Sequence, residues 1–141
     1  MTGEQQETCL FCKIVRGEIP CAAVFESDDF VVFLDINPVS RGHSLVVPKV
    51  HWETLLDVSP DSGVSLVKTI QRVGSALMKA TGAEGFNVVQ NNFPAAGQEV
   101  AHVHWHIIPR FDGDGLKAWP QSGYADSQDM AELAGRIRAA C

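Results

Sequence analysis

The sequence predicts an α+β domain: a five-stranded, mainly antiparallel sheet carrying one long helix, with a second helix at the C-terminus. Three observations predict it. The runs "AAVFES" and "FVVFLDI" and the stretch around 43–47 follow one another with only turns between them, as antiparallel neighbours do. After Ser59 and Pro60, apolar residues recur every three or four positions, the period of a helix packed along one side. Two further strand-like runs, "GFNVVQNN" and "AHVHWHIIPR", come after that helix, and strands grouped around one packed helix define α+β rather than alternating α/β.

Taken in order, residues 1–8 read as a loose polar lead and 9–141 as a single domain, long enough to bury a real core. "CLFCKIVRGEIP" is a short amphipathic piece of one or two helical turns, closed by Gly17 and Pro20. Asp28 and Asp29 form the tight turn between the first two strands, and Pro38 and Gly42 lie in the loop before the third. The long helix starts with Ser59 as N-cap and Pro60 at its first position. Val64, Val67, Ile70, Val73 and Leu77 are its core stripe, and Gly82 stops it. The Gly- and Pro-containing loop 92–99 joins the fourth strand to the fifth. Residues 126–140 form the terminal helix, with Met130, Leu133, Ala134 and Ile137 on one side.

Hydrophobic content of 45% with 20% charged residues describes a globular chain. The net charge of −6 argues against broad binding to nucleic acid or an anionic membrane, yet leaves room for a small phosphate site, which needs only a few local donors. "MTGEQQETC" lacks the apolar stretch of a secretory signal and no run is long enough to span a bilayer, so the expectation is a cytoplasmic protein. In a reducing compartment Cys9 and Cys12, spaced C-x-x-C, are metal or redox candidates rather than a disulfide. Cys21 is expected to be structural and Cys141 an exposed bystander.

The stretch 101–110 places His102, His104 and His106 at every second position. On a strand, alternate residues share a face, so the three imidazoles would point one way while Val103, Trp105 and Ile107 seal against the helix. Three uses of such a row compete. A polar sheet face would normally mix residue types. Two of the three could chelate an ion, but a third could not join them, because His102 and His106 would stand roughly 13 Å apart along the strand at about 3.3 Å per residue. One imidazole could instead attack phosphorus, dividing one hard displacement into two easier ones. That use requires an acceptor on the ring's other nitrogen to fix the tautomer, and neighbouring rings and loop amides to hold the phosphoryl oxygens.

"HVHWHII" resembles the His-X-His-X-His-X-X signature, with X apolar, of the histidine-triad (HIT) superfamily of nucleotide hydrolases and transferases. "FLDINPVSRGHSLVVPKVH" and "NVVQNNFPAAGQEVAH" resemble that family's nucleoside- and phosphate-binding segments in the same order. Together with the C-x-x-C they point to its bacterial Hint-like branch. The resemblance implies that His104 is the nucleophile, with His106 and His43 beside the phosphate oxygens assisting the leaving group. It implies that Asp35 accepts from the ribose hydroxyls, that Asn91 holds ribose or phosphate, and that Gln98 with the backbone near Gly97 and Val100 lines the phosphate pocket. Phe11, Phe33 and Ile36 would wall the base. At the position three residues before the triad, where many relatives carry a serine or threonine, this chain has Glu99, an anionic group that a phosphate would repel. A histidine at 106, where the transferase branch usually carries glutamine, favours the hydrolase branches. The lack of a zinc-finger tail disfavours the branch that repairs adenylylated DNA.

C-x-x-C supplies only half of a four-coordinate zinc shell. The resemblance implies the other half, His51 of "PKVH" and His102, giving a structural Cys2His2 zinc site in which His102 serves the metal and is also counted among the catalytic histidines with His104, His106 and His43. It implies no cofactor for the chemistry itself. The substrate expected is a purine nucleotide with a leaving group on its α-phosphate, of adenosine phosphoramidate or lysyl- or aminoacyl-adenylate type. The alternatives are a dinucleoside polyphosphate hydrolase, a nucleotide-binding regulator with incidental hydrolysis, and a metal-dependent enzyme using His102 and His104 as ligands. The resemblance also implies a homodimer joining two sheets, with the segment "GDGLKAWPQSGYADSQ" and its Trp119 available for a contact near the partner's site.

Overall fold

The computed structural model describes residues 6–117 and 119–141, so most of the expected lead over 1–8 lies outside the described residues. Eight principal elements follow along the chain: α1 (Leu10–Val15), β1 (Ala23–Glu26), β2 (Phe30–Leu34), β3 (Ser44–Pro48), α2 (Gly63–Thr81), β4 (Gly85–Val89), β5 (Trp105–Arg110) and α3 (Ser127–Ala140). The strands form one antiparallel sheet in the order β1-β2-β3-β5-β4. β5 is therefore interior and β4 is an edge.

β2 and β3 are almost wholly buried, which their near-continuous apolar runs require, because the sheet is covered on both faces. On one face α2 packs Val73 and Leu77 against Phe30, Val32, Val46, Val103, Trp105 and Ile107. On the other, Phe11 of α1 packs with Val31, Phe33, Leu45 and Val47. The alternation of β5 turns Trp105 and Ile107 toward α2 and His106, paired across from Leu45, toward α1. Removing a side chain such as Trp105 from the α2 layer would cost about 3–5 kcal/mol. Gly74 lets α2 approach the sheet closely: a Cβ there would lie 2.8 Å from the Phe86 ring.

Four local expectations are corrected. Ser59 and Pro60 begin a 3-10 turn over Pro60–Ser62, and the α-helix proper starts at Gly63. The core stripe of α2 is rotated: Leu66, Ile70, Val73 and Leu77 face in, while Val64 and Val67 are 69% and 53% exposed. The fourth strand ends at Val89, short of Asn91. The fifth begins at Trp105, because its ladder with β3 reaches only from Ser44 to Val46, and the Val103 N–H turns instead to the Trp52 carbonyl at 2.7 Å. Only His106 of the three histidines lies in the sheet.

α3 is capped as a helix should be, the Asp126 side chain accepting from the Asp129 N–H at 2.8 Å, and Gly82 in the left-handed region (φ 74°) ends α2. No side chain of α3 is buried among the described residues. No described helix is long and apolar enough to cross a membrane.

Candidate functional site

Leaving the ladder before Trp105 gives each histidine a separate environment. His102 is fully buried, and its Nε2–H donates to the Pro48 carbonyl at 2.9 Å. A carbonyl can only accept, so the lone pair of His102 is on Nδ1. That nitrogen lies 3.4 Å from Cys9 Sγ, 3.6 Å from Cys12 Sγ and 3.2 Å from His51 Nδ1, and Cys12 Sγ is 3.3 Å from His51 Nδ1. All four ligand atoms lie within 4.8 Å of one another, so Cys9, Cys12, His51 and His102 could hold a metal ion. The donor set suits one: two thiols and two imidazole nitrogens converge in a site that is otherwise nearly dry. Cys9 also caps α1, accepting from the Cys12 N–H at 3.5 Å, so the helix start and the cluster form together. Burial pushes His102 down to about 4 and lowers His51, keeping both imidazoles in the neutral form that a metal requires.

His104 is oriented the opposite way. Its Nδ1–H donates to the His102 carbonyl at 2.8 Å, which leaves Nε2 with the lone pair. The Phe11 ring meets it edge-on with centroids 5.0 Å apart. Burial is the largest influence on His104 and lowers its pKa from 6.5, against the opposing effects of the His102 carbonyl, Asp35 and Glu99. The imidazole is therefore neutral near pH 7 and available as a nucleophile.

A chain of hydrogen bonds fixes the remaining pair. The Val39 N–H donates to His43 Nδ1 at 3.1 Å, so the proton of neutral His43 is on Nε2. His43 Nε2 lies 2.9 Å from His106 Nδ1 and donates to it, which puts the His106 proton on Nε2. Burial pushes His106 down to about 4 and also lowers His43, so both rings are neutral and His106 presents an N–H. The rings of His104 and His106 are 4.9 Å apart, placing a lone pair and a donor side by side. Asp35, His43 and His106 also have ligand atoms within 4.8 Å of one another. The Val39 amide argues against a metal there, since a metal on His43 Nε2 would move that ring's proton onto the nitrogen that Val39 already occupies.

His104 and His106 line a cavity of about 550 Å³ on the α1 side of the sheet. Phe11, Phe33 and Leu45 supply apolar wall, and both phenylalanines also belong to the core, so one pair of rings serves both purposes. Asp35 and Ile36 are on the wall after β2, with the Asp35 carboxylate accepting from the Asn37 N–H at 2.8 Å and lying 3.7 Å from His43 Nε2. Asn91, Gly97, Glu99 and Val100 complete it from the loop before β5. Gln98 is not on the wall. Its amide donates to the Glu53 carbonyl at 2.6 Å and the Val100 carbonyl at 3.1 Å, and its oxygen accepts from the Phe93 N–H at 2.8 Å. Gln98 thus fastens the loop, which holds Phe93 at φ 69°, an unusual value for a residue with a side chain. Cys21 is exposed and lines the cavity rather than the core, and Cys141 is exposed as expected.

Phe11, Phe33, Asp35, Ile36, Asn91, Gly97, Glu99, Val100, His104 and His106 share the cavity, while the backbone groups that orient the histidines had no place in the sequence pattern. The Val39 amide and the Pro48 and His102 carbonyls carry no side-chain signature. The only available signal was the general need of a nucleophilic or metal-binding imidazole for a partner on its second nitrogen.

The HIT domain family model matches residues 16–113. An uncharacterised HIT-like protein of Methanocaldococcus jannaschii is 49% identical over 130 residues, covering 92% of this chain and 98% of that protein. An adenosine 5′-monophosphoramidase of Schizosaccharomyces pombe is 45% identical over 103 residues, 73% of this chain and 74% of its own length. Among solved structures, a Zn-bound histidine triad family protein from Mycobacterium smegmatis superposes with a TM-score of 0.74 at 34% identity, covering 94% of this chain and 97% of that one.

Proposed function

The chain belongs to the HIT domain family, and from that premise we propose that it is a phosphoramidase-like hydrolase that cleaves a purine nucleotide at the bond between the α-phosphate and its leaving group. The observation that carries this is the orientation of His104. Its Nδ1–H is tied to the His102 carbonyl, its Nε2 lone pair is free on a cavity wall, and the His106 N–H stands beside it.

The chemistry follows in two displacements. His104 Nε2 attacks the α-phosphorus, forming an N–P bond as the bond from phosphorus to the leaving amine breaks, and the amine departs with a proton from solvent that the water of the second step gives back. The Nε2–H of His106 stabilises the charge growing on the phosphoryl oxygens. Water then attacks the nucleotidyl-histidine, the N–P bond breaks, and nucleoside monophosphate and neutral His104 are restored. Asp35 accepts from the ribose, Asn91 holds ribose or phosphate, and the Phe11 and Phe33 side of the cavity, with Ile36 at its rim, receives the base.

The ion for the Cys9, Cys12, His51 and His102 cluster is zinc. Metal–nitrogen distances of about 2.1 Å and metal–sulfur distances of about 2.3 Å give tetrahedral edges of about 3.3 to 3.8 Å. The nitrogen–nitrogen and sulfur–nitrogen separations of 3.2 to 3.6 Å match them. Bound there, the ion would tie the N-terminal turn to the residue whose carbonyl orients the nucleophile. The assembly we propose is a homodimer joined through β4, whose outer edge carries no strand among the described residues and whose Phe86 and Val88 are 36% and 44% exposed.

A substrate panel run on wild type and His104→Ala tests the reading. Adenosine phosphoramidate should be hydrolysed by the wild type, and the variant should lose at least about a thousandfold in rate while keeping its fold. Full activity in the variant would refute it.

A further inference from the structure

The cavity that holds His104 has an unusual charge balance for a phosphate site. Its walls contain two carboxylates, Asp35 and Glu99, and neither lysine nor arginine. The two imidazoles on the wall are already engaged, His104 Nδ1 with the His102 carbonyl and His106 Nδ1 with His43. A polyphosphate or sulfate leaving group would enter against two carboxylates with no lysine or arginine on the wall among the described residues.

The two carboxylates are not equivalent. Asp35 is engaged by the Asn37 N–H and lies beside His43. Glu99 is exposed, makes no hydrogen bond or ion pair among the described residues, and lines the same cavity as His104. Its position is nevertheless fixed by its neighbours. Gln98 is pinned by three hydrogen bonds, and Val100 packs against the Phe11 and Phe33 cluster. A backbone anchored on both sides thus presents a free carboxylate on the wall of the cavity that His104 also lines.

We propose that Glu99 is a specificity-determining residue that selects the leaving group, favouring α-substituents that carry a positive charge over neutral or anionic ones of the same size. This rests on the hydrolase reading above and deepens it. A cationic tail offsets the repulsion between Glu99 and the phosphoryl group. A neutral tail leaves that repulsion in place, and an anionic tail adds to it.

The test uses three adenosine 5′-phosphoramidates whose leaving amines share one chain length and end in an ammonium, a methyl or a carboxylate group. kcat/KM is measured for each on the wild type, Glu99→Gln and Glu99→Ser. The wild type should prefer the ammonium compound over the methyl compound by about fivefold, the scale of one partly solvated charge pair, and the carboxylate compound should be poorest. High ionic strength should shrink the preference, and in both variants it should fall below about twofold. Ratios unchanged in both variants would overturn the role of Glu99 while leaving the hydrolase reading intact. Failure of the wild type to turn over any of the three, with no adduct on His104, would overturn both.

Discussion

The two histidine clusters of this protein are built from the same ring and differ in which nitrogen the backbone claims. At His102 the Pro48 carbonyl takes the Nε2 proton and leaves Nδ1 facing two cysteines and a second imidazole. At His104, two residues on, the His102 carbonyl takes the Nδ1 proton and leaves Nε2 on the cavity wall. One cluster brings four candidate ligand atoms together with three of its four residues buried, which suits structure. The other is open to a cavity and holds neutral rings, which suits displacement at phosphorus. Residue type alone does not separate a ligand from a nucleophile; the partner of the second nitrogen does.

The clusters also touch, because the carbonyl that orients His104 belongs to a residue of the other cluster. Substitutions should separate their contributions. After the loss of His104 itself, the largest effect expected is on the open side: His106→Asn removes the N–H aimed at the phosphoryl group and should lower kcat about 10²- to 10³-fold with little change in fold. Steady-state rates on a phosphoramidate, with circular dichroism as the folding control, check this.

Removing metal probes the closed side. Chelation or Cys12→Ser should lower Tm by about 10 °C, the size expected when a tightly bound ion that recognises only the folded state is lost. Turnover should fall as the His102 carbonyl loses its fixed position. A metal content near one zinc per chain in the wild type, and an unchanged Tm on chelation, would contradict each other, so measuring both on one preparation sharpens the assignment.

A smaller effect comes from protons. Burial lowers His106 from 6.5 to about 4 and lowers His43 in the same direction. Between these values the unfolded chain takes up protons that the folded chain refuses. Stability therefore rises with pH across that window and is lost as pH falls from about 6.5 toward about 4. Tm measured against pH should show this slope in the wild type and a shallower one in His106→Asn.

Much of this was legible in the sequence. Turn residues between β-branched runs marked β1, β2 and β3, and the period of residues 64–77 marked α2, because both follow from side-chain chemistry repeated over many positions. Local placement was less legible. Ser59 and Pro60 are sound helix-start residues, yet they open a 3-10 turn, and α2 turns Leu66, Ile70, Val73 and Leu77 inward with Gly74 against the Phe86 ring. The alternation of His102, His104 and His106 matched a strand, whereas the ladder stops at Trp105 since β3 offers no pairing beyond Val46. Continued as a strand, the row would have kept its first and last rings about 13 Å apart, facing one way. Leaving the sheet lets His102 turn to Cys9 and Cys12 while His104 stays with His106. Gln98, expected on the phosphate, was legible as a loop residue of interest but not as the fastener it is, because its partners are backbone atoms of Glu53, Phe93 and Val100.

The central claim is that the His102 carbonyl chooses the nitrogen with which His104 attacks. It is tested most directly by trapping the nucleotidyl adduct with a slow phosphoramidate and identifying the modified atom by mass spectrometry and NMR. The expected product is His104 adenylylated at Nε2. An adduct at Nδ1, or on any other residue, would contradict it.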